Sequence, residues 1–126
     1  MSMRMYLPYV AAVALAIHGA LHFLGFGVYF ELVEMADLQY KTTLLGGAVD
    51  VGDAGIRIFA MLTAVAGFGF VASAVALVTD WRYWRKLLLA VTAFSLVLTT
   101  LDWTVASAGV LANLAILASL FVMPRL

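Results

Sequence analysis

Four long apolar stretches separated by short polar segments dominate the chain and predict four membrane-spanning helices. About 20 apolar residues in a helix cross the hydrocarbon core of a bilayer. The predicted spans cover about residues 7–30, 56–78, 87–101 and 106–123. Pro8 falls in the first turn of span 1, where its missing N–H costs nothing. The pattern therefore predicts an all-α fold, an integral membrane four-helix bundle.

The connections between the spans differ in length. Spans 3 and 4 join tightly around Asp102 and Trp103, which predicts an antiparallel helical hairpin. The link between spans 1 and 2, residues 31–55, is the longest segment outside the spans. Its first half mixes acidic and apolar residues and favours a short interfacial helix, whereas its glycine-rich second half indicates a loop.

Composition supports a membrane protein built as a single domain over residues 1–126. Hydrophobic residues make up 66% of the chain and charged residues 11%. A soluble domain usually has about 45–50% apolar and about 25% charged residues. The net charge of zero provides no basic field for nucleic acid. The chain has no cysteine, which excludes disulfides, thiol catalysis and iron–sulfur clusters.

The distribution of lysine and arginine predicts the orientation of the bundle. With four spans, both termini and the loop at residues 79–86 share one side. That side carries five of the seven basic residues, namely Arg4, Arg82, Arg85, Lys86 and Arg125. The other side carries Lys41 and Arg57. The positive-inside rule then predicts a multi-pass protein of the inner (plasma) membrane with both termini cytoplasmic, and an outer aromatic belt of Tyr29, Phe30, Tyr40 and Trp103.

The two histidines, His18 and His22, lie in the middle of span 1 and are the first candidates for chemistry. Their spacing of four places both imidazoles on one helix face. We favour the interpretation in which each imidazole bonds a hydroxyl or carbonyl of a neighbouring helix. Ligation of haem or a metal, and handling of a proton or ligand, are the alternatives. A metal site needs three or four ligands, and the sequence offers no convincing further ones.

A second polar stripe lies on span 3, and one further polar residue, Asn113, lies on span 4. The steps between Thr92, Ser95, Thr99 and Asp102 place all four on one helix face. This stripe either lines a polar pocket together with the histidines or joins helices, and we favour the second interpretation. Asn113 on span 4 must find partners inside the bundle, because an amide in hydrocarbon is costly without them.

Arg57, at the start of span 2, has two interpretations of its own. Its side chain either reaches the lipid headgroups or forms an ion pair with Asp53 or Asp102. Small residues four apart predict helix contacts, because close approach drives association in lipid. They are Ala12, Ala16 and Ala20 on span 1, Ala60 and Ala64, then Gly69 and Ser73, on span 2, and Ala108 and Ala112, then Ala115 and Ser119, on span 4.

Three stretches, taken together, carry a resemblance to a family. They run from His18 to Phe26, from Val49 to Arg57, and from Ser95 to Leu117. They resemble a group of small, uncharacterised four-span bacterial integral membrane proteins, sometimes labelled automatically as ABC-transporter permeases. After the arginine, where the group has a glycine and a tryptophan, this chain has Ala60 and Thr63. The resemblance implies a four-span bundle and no particular activity, and a permease domain usually has more spans.

The function that we expect is non-enzymatic: an accessory or structural subunit of a membrane complex, or a small homo-oligomer. Its expected partners are the lipid bilayer and other membrane chains, and not nucleic acid. We expect no cofactor and no catalytic residue. The alternative is a binding module for a small hydrophobic, lipid-like or haem-like ligand in the outer half of the bundle. Its candidate residues are His18, His22, Arg57, Thr99, Asp102 and Asn113. A small oligomeric transporter ranks third.

Overall fold

The computed structural model describes residues 5–122 and contains four α-helices, each long and apolar enough to cross a membrane. The helices are α1 (Leu7–Tyr29), α2 (Gly52–Val78), α3 (Trp84–Leu101) and α4 (Trp103–Val122). The prediction of an all-helical fold with four such helices is therefore confirmed. Arg4, Arg125 and the last residue of predicted span 4, Met123, lie outside the described residues.

Three of the helices begin earlier than the apolar pattern predicts. The helix α2 starts at Gly52 rather than at residue 56, inside a segment expected to be loop. The Asp50 carboxylate accepts the N–H of Gly52 at 2.9 Å, which satisfies one of the donors that a helix N-terminus leaves free. The first turn contains glycine and charged residues, so a hydropathy pattern does not detect it as part of the helix. An acidic residue such as Asp53 is nevertheless favourable at a helix N-terminus.

The predicted interfacial helix in the link is wrong. Between α1 and α2 the structure has irregular backbone, then an antiparallel pair of short strands, β1 (Thr43–Leu44) and β2 (Val49–Asp50). A short helix is unfavourable unless packing covers its apolar face. Leu32 and Val33 are 65% and 47% exposed, so the described part of the protein leaves much of this apolar surface uncovered.

Close backbone contact joins α1 to α2. A Cβ atom added to Gly19 would lie 2.8 Å from the carbonyl oxygen of Gly67, and one added to Gly67 would lie 2.9 Å from that of Gly19. The predicted alanine stripe only partly coincides with this contact, because Ala12 is buried but Ala20 is exposed. The helices α2 and α3 then pack along each other, as do α3 and α4.

Two apolar cores stack along the bundle. We call the end that holds the α2–α3 turn the terminal end, and the end that holds the link and the α3–α4 turn at Asp102 the link end. Phe70, Leu77, Trp84, Leu88 and Leu120 belong to the core toward the terminal end. Val28, Tyr29, Ile56, Phe59 and Leu98 belong to the core toward the link end. Polar side chains lie between the two cores and position the candidate site.

Candidate functional site

Five polar side chains from three helices meet in the middle of the bundle. We call them the polar cluster: His18, His22, Ser95, Thr99 and Asn113. Ser95 and Asn113 are fully buried, and His22 and Thr99 are 8% exposed. Helical periodicity brings the two histidines to one face of α1, and Ser95 and Thr99 to one face of α3. Local spacing therefore places the polar residues of α1 and of α3 each on one helix face, and helix packing brings these faces and Asn113 together.

Hydrogen bonds connect the polar cluster across the helices. The ring Nε2 of His18 lies 2.9 Å from the side-chain oxygen of Asn113. The ring Nε2 of His22 lies 2.7 Å from the Ser95 hydroxyl. The Asn113 amide nitrogen lies 3.0 Å from the Ser95 hydroxyl and 3.2 Å from that of Thr99. The helices α1, α3 and α4 are thus joined at one level.

The directions of these hydrogen bonds follow from their fixed donors and acceptors. The Asn113 amide nitrogen donates to the two hydroxyls, so its oxygen accepts from Nε2–H of His18. The Nδ1–H of His22 donates to the His18 carbonyl at 2.8 Å, so Nε2 of the neutral ring accepts from Ser95. Within residues 5–122, every buried side-chain nitrogen and oxygen has a partner.

A second polar group closes the link end of the bundle. The Asp102 carboxylate accepts a hydrogen bond from the Tyr29 hydroxyl at 2.5 Å and pairs with the Lys41 ammonium at 2.5 Å. Both Asp102 and Tyr29 are buried, while Lys41 reaches in from the link. The pair compensates the carboxylate charge, which would otherwise be costly at a buried position. It also ties the link to the ends of α1 and α3.

A cavity of about 530 Å³ lies between the polar cluster and this carboxylate. Side chains of all four helices and of the link contribute to its wall. Its polar side is formed by His18, His22, Tyr29, Thr99 and Asp102, together with Thr63 and Asp37. Its apolar side includes Leu21, Leu24, Phe59, Leu98, Val105 and Ala108. The volume falls within the range of sites that bind small molecules, about 300–1,000 Å³.

The cavity opens sideways between α1 and α4. Leu21 and Leu24 of α1 and Val105 of α4 line the cavity and are also 56%, 41% and 43% exposed. Met35 and Leu38 of the link line the cavity at the link end. A molecule can therefore reach the polar wall through an apolar opening on the flank of the bundle, without passing through the link.

The structure brings together most of the residues that the sequence singled out. His18, His22, Thr99 and Asp102 line the cavity. Asn113 lies behind the wall and holds His18. The contacts of the two histidines with Asn113 and Ser95 correspond to the interhelical interpretation of the pair.

Arg57 is the exception among the predicted site residues. Its guanidinium lies 3.8 Å from Glu31, and both side chains are about half exposed. Of the two interpretations of Arg57, the ion pair with Asp53 or Asp102 is wrong, because Asp102 pairs with Lys41 and Asp53 accepts from the Tyr40 hydroxyl. Arg57 also lies over the ring of Phe30, 5.8 Å from its centroid, and does not line the cavity.

The sequence did not identify Tyr29 and Lys41 as the partners of Asp102. Tyr29 was expected in an aromatic belt at the membrane surface, yet it is 2% exposed and faces Asp102. Lys41 was counted only as a charge of the link. Tyr29 lies seven residues, about two helical turns, after His22 on α1, and this spacing was the available signal. No local pattern marks Lys41.

A metal centre is not assembled by the described part of the chain. Among residues 5–122, no three His, Cys, Asp or Glu side chains lie close enough to hold an ion. Both ring nitrogens of His22 are engaged in hydrogen bonds. Nδ1 of His18 is the imidazole nitrogen for which no partner is found in this part of the structure, and His18 faces the cavity.

Comparison with known proteins adds no relative: the chain matches no protein-family model, no curated protein and no solved structure. The functional proposal therefore rests on the geometry of the cavity and its polar wall.

Proposed function

We propose that the chain is a multi-pass protein of the inner membrane that binds a small, mainly apolar molecule in the cavity between α1 and α4. The single observation that carries this proposal is the cavity itself, with a volume of about 530 Å³, an apolar mouth and a polar wall. Ligand pockets usually combine such apolar walls with a few well-placed polar groups. The proposal corresponds to the binding module that the sequence offered as an alternative.

The position of the opening supports a ligand that arrives from the bilayer. With the four apolar helices inserted, exposed leucines such as Leu21 and Leu24 contact lipid at the cavity mouth. An apolar molecule dissolved in the bilayer would enter there without crossing water. The lysine and arginine distribution further supports placing the link end outside and the termini in the cytoplasm.

Photolabelling tests the proposal. A hexadecanol that carries a diazirine near its hydroxyl end would be added to the protein in lipid vesicles and mapped by peptide mass spectrometry. We expect saturable labelling of the peptides that carry His18 to Gly25 and Val105 to Ala112, because these line the cavity. Labelling spread evenly over the exposed faces of all four helices would overturn the proposal.

Two phenylalanine substitutions on α4 provide matched variants for this experiment. Ala108 lines the cavity and is exposed at its mouth, whereas Ala118 is exposed and does not line it. Ala108→Phe should reduce saturable labelling several-fold, and Ala118→Phe should leave it unchanged. Equal labelling of both variants would count against a ligand in this cavity.

A second candidate function is assembly with other membrane chains or with copies of this chain, as an accessory subunit or small homo-oligomer. The observation that favours it is the low burial of α4, the least buried of the four helices. Its exposed residues include Leu111, Phe121 and Val122. Cross-linking in native membranes followed by mass measurement would test this candidate. A protein that remains a monomer without cross-linked partners would exclude it.

A further inference from the structure

The hydrogen-bond directions in the cavity wall identify the class of ligand. We propose that the cavity selects an apolar molecule whose head donates a hydrogen bond, such as a long-chain or ring alcohol, over one whose head only accepts. This inference rests on the proposed binding function and adds the chemistry of the ligand head. In the cavity wall, the side-chain hydrogen-bond donors are engaged within the protein, whereas several acceptors keep a free lone pair.

The side-chain donors of the described cavity wall are all engaged within the protein. Nε2–H of His18 donates to Asn113, and Nδ1–H of His22 donates to the His18 carbonyl. The Tyr29 hydroxyl donates to Asp102. The two threonine hydroxyls of the wall donate to their own helices, Thr63 to the Phe59 carbonyl and Thr99 to the Ser95 carbonyl.

The acceptors of the same wall are not exhausted. A neutral imidazole has one donor and one acceptor nitrogen, so His18, whose Nε2 donates, keeps a lone pair on Nδ1. The hydroxyl oxygens of Tyr29 and Thr99 each have acceptor capacity left after the bonds described above. A ligand head that donates therefore finds a partner, whereas a head that only accepts finds no free side-chain donor.

Charge favours a neutral alcohol over an acidic head. The carboxylate of Asp102 is already compensated by Lys41 at 2.5 Å. No lysine or arginine belongs to the described cavity wall, which removes the usual partner of an acidic head. Asp37, at the link side of the wall, is exposed and adds a further acceptor group, which disfavours acidic heads.

Competition against the photoprobe tests this preference. Unlabelled hexadecanol and hexadecyl methyl ether have the same chain, but only the alcohol donates. One hydrogen bond contributes about 0.5–1.5 kcal/mol, so we expect the alcohol to displace the probe at a concentration about 2- to 13-fold lower than the ether. Equal competition by both would overturn the donor preference and leave the cavity proposal intact. Failure of both to compete would instead contradict the binding function itself.

A double substitution locates the preference at His18. His18→Phe with Asn113→Leu removes both partners of one hydrogen bond. Ser95 and Thr99 lose the Asn113 donor but keep their bonds to His22 and to the Ser95 carbonyl, so neither hydroxyl is left without a partner. We expect the preference for the alcohol over the ether to fall in the double variant, to what the hydroxyl oxygens of Tyr29 and Thr99 still accept. Thr92→Val serves as the control, because Thr92 bonds only its own helix at the Leu88 carbonyl and should keep the full preference. An undiminished preference in the double variant would overturn the role of His18.

A second variant keeps the test valid if the double variant does not fold. Ala108→Phe retains His18 and Asn113 but fills the mouth of the cavity. It should weaken competition by alcohol and ether by the same factor, since it blocks access without changing the polar wall. A loss confined to the ether or the alcohol would contradict the placement of the head at His18.

Discussion

Gly19 on α1 and Gly67 on α2 lie in direct backbone contact, and each leaves no room for a Cβ atom on the other. A Cβ atom on Gly19 or on Gly67 would lie only 2.8 Å or 2.9 Å, respectively, from the carbonyl oxygen of the opposite glycine. Since the obstructing atoms belong to the backbone, they cannot rotate away. The contact sets the distance between α1 and α2, and with it the position of His18, the residue before Gly19.

Gly19→Ala should destabilise the protein. The added methyl group forces α1 away from α2, at a cost of about 1–3 kcal/mol for overpacking, which exceeds the gain of about 1 kcal/mol in helix propensity. Unfolding by denaturant in mixed micelles measures the difference. Gly25→Ala on the same helix is the control, because its nearest neighbour is Thr63 at 3.6 Å and it should be neutral or stabilising. Equal effects of the two substitutions would refute a special role for the glycine contact.

Ser95→Ala should destabilise more than Thr92→Val, although both remove one buried hydroxyl from α3. Ser95 donates to His22 and accepts from Asn113, so its loss leaves Nε2 of His22 without a partner and removes one of the two bonds that the Asn113 amide nitrogen donates. Leaving such groups unpaired costs about 1–3 kcal/mol. Thr92 bonds only the carbonyl of Leu88. The free energy of unfolding of the two variants provides the comparison, and a larger loss for Thr92→Val would contradict the polar cluster.

Lys41→Met should loosen the link while leaving the helices in place. Lys41 is the side chain of the link that bonds the buried Asp102. Amide hydrogen exchange over residues 31–50 should become several-fold faster, because opening of the link no longer breaks an ion pair. Lys86→Met, at the terminal end, removes the same charge far from the link and should leave that exchange unchanged. Equal exchange in the Lys41 variant and the unsubstituted protein would show that the ion pair does not hold the link.

Tyr40 should titrate at unusually high pH. Its hydroxyl donates to the Asp53 carboxylate, which raises the pKa of Tyr40 from its ordinary value of 10 to about 12. The raised pKa means that this bond stabilises the folded protein fully below pH 10, and the contribution is lost as pH rises through about 12. Absorbance at the phenolate band measures the titration. Asp53→Asn should lower the pKa of Tyr40, and an unchanged titration would contradict the bond.

Asp80→Gly should stabilise the turn between α2 and α3. Asp80 has φ of +53°, and the N–H groups of Asp80 and Trp81 bond the carbonyls of Leu77 and Ala76, the pattern of a Schellman motif. Glycine adopts this conformation without the steric cost of a side chain, so a gain of about 0.5–1 kcal/mol is expected. Asp80→Ala, which keeps the Cβ atom, is the control. A gain as large for alanine would point to charge rather than backbone conformation.

The helix face on which these polar residues lie could be predicted from the sequence. Thr92, Ser95, Thr99 and Asp102 share a face because helical geometry repeats every 3.6 residues, and all four are buried. The partners of these residues on other helices could not be predicted from the sequence. Asp102 had two candidate partners at the level of sequence, Arg57 for an ion pair and the histidine pocket, and the structure pairs it with Lys41 and Tyr29.

The number of helices, their approximate limits and their polar faces were thus determined by the sequence alone, because apolar length and helical repeat are properties of a single segment. The contact of Gly19 with Gly67, the ion pair of Lys41 and the cavity were decided by the tertiary structure. Small residues four apart occur on several helices, so many packings satisfy the same pattern. Only the tertiary structure shows which of these packings forms, and that this packing leaves a cavity beside His18.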